Sequence, residues 1–209
     1  MLAAFNNKNY KKEKEINITY AGKICESKGI KSLLNSLNIL DYNEEDISVN
    51  IAGSGSDQEE TNEIIEISKK SKYKVYFHGK LNHEELSELF NKSHIFVLPS
   101  FYEGLPVVVL ESLACGCKVI VSKINGLEDF IGEDINNSHN ILYLKMPRMI
   151  NFTTPLKDDL PKFEENIAKC MERFINTINE EQKRPNINME DKTWDGLGKK
   201  IDKIIKLIV

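Results

Sequence analysis

The sequence has no long apolar run, and none of its hydrophobic stretches approaches the about 20 residues a helix needs to cross a bilayer. The opening stretch MLAAFNNKNYKK has no apolar core of signal-peptide length, so it is read as lacking a secretory signal. Cysteine is scarce: Cys25, Cys115, Cys117 and Cys170 are the four, and the nearest two are not a C-x-x-C pair. No second cluster has zinc-ligand spacing, so they are expected to be buried reduced thiols, as in a cytoplasmic protein. There is no excess of basic charge, with 28 Lys+Arg against 32 Asp+Glu well mixed along the chain. That balance excludes a non-specific nucleic-acid footprint. Histidine is thin as well (His78, His83, His94, His139). The sequence holds no Asp-x-Asp and no His/carboxylate group at ligand spacing, so no metal site is expected.

What is present is alternation. Short runs rich in Val, Ile, Tyr and Phe at Ile16–Ala21, Ile47–Ala52, Lys74–His78, His94–Pro99, Lys118–Ser122 and Asn140–Leu144 read as strands. Between them, apolar residues recur at helical spacing: Ile30, Leu33, Leu34, Leu37 and Leu40; Ile64, Ile65 and Ile67; Leu86, Leu89 and Phe90. Asn82 with Glu85 three residues on is a capping-box pattern. Strand–helix alternation predicts an α/β, Rossmann-like doubly wound parallel sheet of about six strands with helices on both faces. Such sheets bind ligands outside the carboxyl ends of their strands. Residues 1–15 read as a tail or interdomain linker and 16–178 as the domain. The polar stretch and amphipathic helix of 179–209, with Trp194, are expected to pack back on this domain or a neighbouring one. Residues 145–161 carry three prolines and read as irregular.

One segment stands out, Ser100-Phe-Tyr-Glu-Gly-Leu-Pro-Val-Val-Val-Leu-Glu-Ser-Leu-Ala-Cys-Gly116, which follows a strand. Pro106 suits the first helical position, where a missing N–H costs nothing. The helix after it is apolar nearly all round, and Glu111 is its single charge. A lone buried carboxylate costs several kcal/mol unless something pairs with it. Core or surface hydrogen bonding could satisfy it; the functional reading is that Glu111 accepts hydrogen bonds from ligand hydroxyls. N–H groups near Leu105, Val107 and Val108 point out of the helix start, and with the helix dipole they suit a phosphate. Gly104 allows close approach, with Glu103 beside it.

The frame PS-x-x-E-G-L-P-x-x-x-x-E-S-x-A-x-G, with seven residues between Glu103 and Glu111, resembles the signature of retaining glycosyltransferase family 4. Other segments agree in order. Tyr20-Ala-Gly-Lys-Ile-Cys-Glu-Ser-Lys-Gly29 resembles the family's first strand and loop. Ile51-Ala-Gly-Ser-Gly55 resembles its G-x-G, and Val75-Tyr-Phe-His-Gly-Lys-Leu81 its V-x-F-x-G stretch. Ile124-Asn-Gly-Leu-Glu-Asp resembles a G-G-x-x-E turn, with Asn125 for a Gly, a residue that tolerates a left-handed backbone.

The resemblance implies the C-terminal, donor-binding half of a GT-B fold, in which two Rossmann-like domains face each other across a cleft. It implies retaining transfer of a sugar from a nucleoside diphosphate to an acceptor, without a metal or other cofactor. The catalytic set it implies is Lys23, Lys28 and Glu103, the lysines on the diphosphate and Glu103 on the donor sugar. Lys23 stands where the family has Arg, which keeps the charge and loses the bidentate fork. Glu111 would hold the ribose, Lys80 and Leu81 the nucleobase through main chain, and Gly22, Gly104, Leu105 and Val107 the rest of the donor. His78, at a strand end, is a further candidate to line the base site. The acceptor, a sugar or lipid, is expected to be met through an N-terminal half or partner chain, which could also bring peripheral membrane association. The alternative is a non-catalytic nucleotide-sugar-binding module or a subunit of a split transferase. A dehydrogenase is disfavoured because no G-x-G-x-x-G follows the first strand.

Overall fold

The computed structural model describes residues 4–8 and 15–181, with side chains as far as Ile178. The helix expected around Trp194 and the stretch 182–209 lie outside the described residues.

Six strands form one parallel sheet: β1 (Ile16–Ala21), β2 (Ile47–Ala52), β3 (Lys74–Gly79), β4 (Ile95–Leu98), β5 (Lys118–Ser122) and β6 (Ile141–Leu144). Their order is β3-β2-β1-β4-β5-β6, so chain direction across the sheet reverses between β1 and β4. This is the doubly wound Rossmann order expected from the strand–helix alternation. β1, β2, β4 and β5 are buried almost throughout: β4 (IFVL) and the VIV of β5 read as apolar runs, while β1 (INITYA) and β2 (ISVNIA) interleave apolar residues with the polar Asn17, Thr19, Ser48 and Asn50. β3 is the exposed edge, and Lys74, Tyr76 and His78 fit that position.

The helices that matter here are α1 (Ile30–Leu37), α2 (Gln58–Ser68), α3 (His83–Lys92) and α4 (Val107–Ala114). Beyond them come α5 (Leu127–Ile131), α6 (Glu133–Asn136) and the long α7 (Leu160–Glu181). α7 packs along α1 and reaches β5 and β6, so Phe163, Ile167, Met171 and Phe174 bury against the sheet. The capping box at α3 is complete: Asn82 Oδ1 accepts from the N–H groups of Glu84 and Glu85, and Asn82 N–H donates to Glu85 Oε2 at 2.8 Å.

Four expectations change. Residues 4–8, inside the presumed tail or linker, dock on α3: Phe5 is buried against Phe90, and Ser87 Oγ donates to the Ala4 carbonyl at 2.7 Å. Residues 145–161 are ordered as a small hairpin, closed by an antiparallel bridge between Met149 and Pro155. Of the cysteines, only Cys115 and Cys117 are buried; Cys25 and Cys170 are partly exposed. In the turn after β5 the left-handed residue is Gly126 (φ +81°), not Asn125, so the substitution at 125 demands no special backbone.

Candidate functional site

Ala21–Lys23, Ala52–Gly53 and Leu98 bring the carboxyl ends of β1, β2 and β4 to one cleft of about 440 Å³, at the point where strand order reverses. Its floor exists because the loops interlock. Gly53 has φ +137°, and a Cβ there would lie 1.8 Å from the Gly22 carbonyl oxygen, so the β1 and β2 loops touch backbone to backbone. Gly29 has φ +67°, and its Cβ would meet the Pro99 carbonyl oxygen at 2.0 Å. Phe101 N–H donates to the Ser27 carbonyl at 2.9 Å and closes the same seam. Tyr20, fully buried, donates its hydroxyl to the Lys23 carbonyl at 2.6 Å and pins the loop after β1. Burial raises the Tyr20 phenol well above its ordinary range, so it acts as a neutral donor.

Most of the residues singled out from sequence meet here. Gly22, Lys23, Lys28, Lys80, Leu81, Glu103 and Glu111 all line the cleft. Lys28, in the 3-10 turn Glu26–Lys28, places its Nζ 2.8 Å from Glu103 Oε2 and donates to the Tyr102 carbonyl at 2.9 Å. Glu103 Oε1 accepts from Ser100 Oγ at 2.8 Å. Lys23 and Lys80 are exposed, and neither makes an ion pair among the described residues. Glu111 is 7% exposed, and no hydrogen bond or salt bridge reaches its carboxylate from the described residues. Burial raises its carboxyl above the ordinary range, with the charge of His83 pulling the other way. Val108 and Glu111, three apart on α4, present one helix face to the cleft.

Other placements differ from expectation. Pro106 is the residue before α4 and not its first helical residue. The Val107 N–H is not free: it is donated to the Leu105 carbonyl at 2.9 Å. The N–H groups of Leu105 and Val108 make no backbone hydrogen bond among the described residues and remain as donors at the helix start. Gly104 is exposed, with open space where a Cβ would stand. His78 lies away from this cleft: its Nε2 pairs with Asn50 Oδ1 at 2.8 Å in a separate polar concavity. The histidine that does line the cleft is His83, the first residue of α3, with Leu86 beside it. Sequence reasoning passed over it, although its place directly after Leu81 and the Asn82 cap was a usable signal. Phe5 meets the His83 ring edge to face, at 6.0 Å between centroids.

Comparison with known proteins assigns the chain to a family. The family model for glycosyl transferases group 1 matches residues 3–139. The chain belongs to that family. An uncharacterized glycosyltransferase of Methanocaldococcus jannaschii is 32% identical over 120 residues, which are 57% of this chain and 30% of that protein. The alpha-D-kanosaminyltransferase of Streptomyces kanamyceticus is 26% identical over 152 residues, 73% of this chain and 39% of that protein. The chain thus spans about a third of the length of these group 1 relatives. Among solved structures, a glycosyltransferase of Rickettsia africae matches with a TM-score of 0.60 at 17% identity, over 79% of this chain and 39% of its own. An Anabaena protein solved with UDP and glucose matches with a TM-score of 0.57 at 16% identity, over 83% of this chain and 41% of its own. At such identities the structural likeness speaks for the fold alone, and that fold is a Rossmann-like domain of the GT-B kind.

Proposed function

We propose that this chain is the donor-binding half of a retaining, metal-independent glycosyltransferase of family 4, and that its ligand is a nucleoside-diphosphate sugar. The observation that carries the reading is the Glu111 carboxylate: on a largely buried residue, without a hydrogen-bond partner among the described residues, and facing a cleft that also holds three lysines. Its oxygens open to the cleft, so a ligand seated there can supply the donors they lack.

In this reading Lys23 and Lys28 meet the diphosphate. The Leu105 and Val108 N–H groups at the start of α4 add the field of a helix N-terminus. Glu111 accepts from the ribose hydroxyls. Leu81 and Lys80 edge the nucleobase through main chain, with His83 and Leu86 closing that end. Glu103 accepts from hydroxyls of the donor sugar, which reaches the backbone over Gly104. During transfer the bond from the anomeric carbon to the leaving phosphate oxygen breaks. The two lysines stabilise the negative charge that gathers on the diphosphate, a term realised most fully in the transition state. Glu103 and Glu111 bind hydroxyls and do not act as an acid/base pair flanking the scissile bond. The acceptor, a sugar or lipid, is met through an N-terminal half or partner chain, since this chain spans about a third of its relatives. The expected location is the cytoplasm or the cytoplasmic face of a membrane; no helix among the described residues is long and apolar enough to cross one.

The test is a thermal-shift panel of UDP-, GDP- and ADP-sugars, with and without EDTA. A true donor at about a hundred times its Kd adds about 2.7 kcal/mol of stability and is readily detected. No shift from any of the three sinks the assignment, and a shift abolished by EDTA sinks metal independence. Alone, the chain is expected to turn over well below about 1 s⁻¹.

A further inference from the structure

The hairpin between β6 and α7 carries the two most exposed large apolar side chains among the described residues, Ile150 at 65% and Phe152 at 87%. They stand at its tip by construction. Ile150 N–H donates to the Thr154 carbonyl at 2.9 Å, and Leu156 N–H donates to the Arg148 carbonyl at 2.7 Å. Asn151 Oδ1 accepts from the N–H groups of Thr153 and Thr154 and holds the turn. Below, Arg148 clasps Asp159 through two nitrogens, at 2.7 and 2.9 Å.

The collar beneath this tip is basic. Residues 145–162 hold four basic side chains against two carboxylates, in a chain whose net charge is −4. Lys145, Arg148 and Lys162 converge on one concavity of about 280 Å³, and Lys145, Lys157 and Lys162 are exposed. Arg148 is taken up by Asp159, and Glu164 and Glu165 lie further along α7, so the basic character of the collar rests on the exposed Lys145, Lys157 and Lys162.

We propose that this hairpin docks the protein on an anionic lipid bilayer, Phe152 and Ile150 entering the boundary between headgroups and acyl chains, and the lysines meeting the headgroups. The match is of two chemistries at once. A nucleic acid would answer the collar and not the tip. A neutral apolar groove on another protein would answer the tip and leave the collar unused. An anionic bilayer answers both, through buried apolar area and surface potential together. The position is consistent with use: Ile150 and Phe152 share a concavity of about 790 Å³ with Tyr102 and Glu103, beside the cleft. Bilayer contact at the tip therefore holds the cleft close to the membrane surface. That consequence rests on the donor-site reading; the docking itself does not.

Vesicle cosedimentation of the full chain tests this. Vesicles of equal parts phosphatidylcholine and phosphatidylglycerol should sediment the protein, and binding should fall about tenfold or more on phosphatidylcholine alone and fall again with added salt. The double substitution I150S with F152S, at an exposed tip, should leave circular dichroism and any nucleotide-sugar thermal shift unchanged while lowering vesicle binding about tenfold or more. K145E with K162E should do the same. Absent binding to anionic vesicles, or equal binding by the I150S/F152S variant, overturns the proposal and leaves the hairpin as a surface for a protein domain. A lost nucleotide-sugar shift in wild type, with vesicle binding intact, overturns the donor-site reading alone.

Discussion

Lys28 and Glu103 are joined across the mouth of the cleft, Nζ to Oε2 at 2.8 Å, although they sit on loops from strands β1 and β4. The pair is formed by the residues assigned to the ligand's diphosphate and to its sugar hydroxyls, so binding a diphosphate must divide the lysine between two anions. Two variants should therefore diverge. Lys28→Ala should weaken a nucleoside diphosphate about ten- to a hundredfold, the loss of one charged hydrogen bond of about 1.5–3 kcal/mol. Glu103→Ala should leave the nucleoside diphosphate bound as tightly or more so, and weaken the nucleotide sugar. Calorimetry with both ligands on both variants checks this. Equal losses for the two ligands on Glu103→Ala would remove Glu103 from the sugar.

Glu111 predicts a conflict between stability and binding. Its folded carboxyl titrates above the ordinary Glu value of 4.5, so the folded state holds the proton more tightly than the unfolded one. Stability from this group is full below the unfolded value and declines as pH rises through the raised folded value. Glu111→Gln should flatten that decline and raise stability at neutral pH, because it removes the desolvation cost of the charged carboxylate. The same change should cut nucleotide affinity about tenfold or more. Urea denaturation across pH, with and without ligand, reads both. A stability curve unchanged by the substitution would mean that Glu111 is already satisfied.

Much of this was legible in the sequence, for physical reasons that name their own limits. Parallel strands buried on two faces appear as apolar runs, as at β4 and β5, while β1 and β2 declared themselves as strand-length segments rich in Ile and Val. Glu111 declared itself because a charge in an apolar helix has to be explained, whereas Lys23, Lys28, Lys80 and Leu81 were reached only through the family resemblance. His83 was missed, because a histidine at the start of a solvated helix looks like any capping turn. The hydrogen bond that takes the Val107 N–H was equally hidden, since it depends on the bend of the chain before Pro106 and not on side-chain pattern. The docking of residues 4–8 rests on one aromatic ring in a polar stretch, too little for periodicity to register. The hairpin at 148–156 was masked by three prolines in its neighbourhood.

Phe5 gives that docking a measurable weight. It is 4% exposed, in contact with Phe90 and His83. Phe5→Ala should destabilise the domain by about 3 kcal/mol, near the lower end for a buried phenylalanine because the site lies at the domain's edge. A mere linker would tolerate the change within about 0.5 kcal/mol. Denaturant midpoints of the two proteins decide between them.

Three glycines separate folding from binding. Gly29→Ala and Gly53→Ala place a Cβ within 2.0 Å and 1.8 Å of a carbonyl oxygen, at left-handed φ, and each should cost about 2 kcal/mol or more. Gly104→Ala meets nothing within 4 Å, so the fold should not register it. If the donor sugar passes over Gly104, that methyl group should still lower nucleotide-sugar affinity while sparing the nucleoside diphosphate. Unchanged affinity for both would place the sugar elsewhere.

At the base of the hairpin, hydrogen bonds from Arg148 and its charge lower the Asp159 carboxyl from 3.8 to about 2. The direction fixes the sign: a lowered folded value means the clasp stabilises above the ordinary Asp range and is lost as pH falls through about 2. Across the neutral range the hairpin base should therefore be insensitive to pH. Arg148→Ala should return the Asp159 titration, followed by carboxyl carbon NMR, toward 3.8. It should also loosen the tip, seen as faster exchange of the Ile150 amide that now donates to Thr154. An Asp159 titration unmoved by Arg148→Ala would assign the shift to the residue-148 backbone N–H, which the substitution keeps and which donates to Asp159 at 2.8 Å, with the charge of Lys162 adding to it.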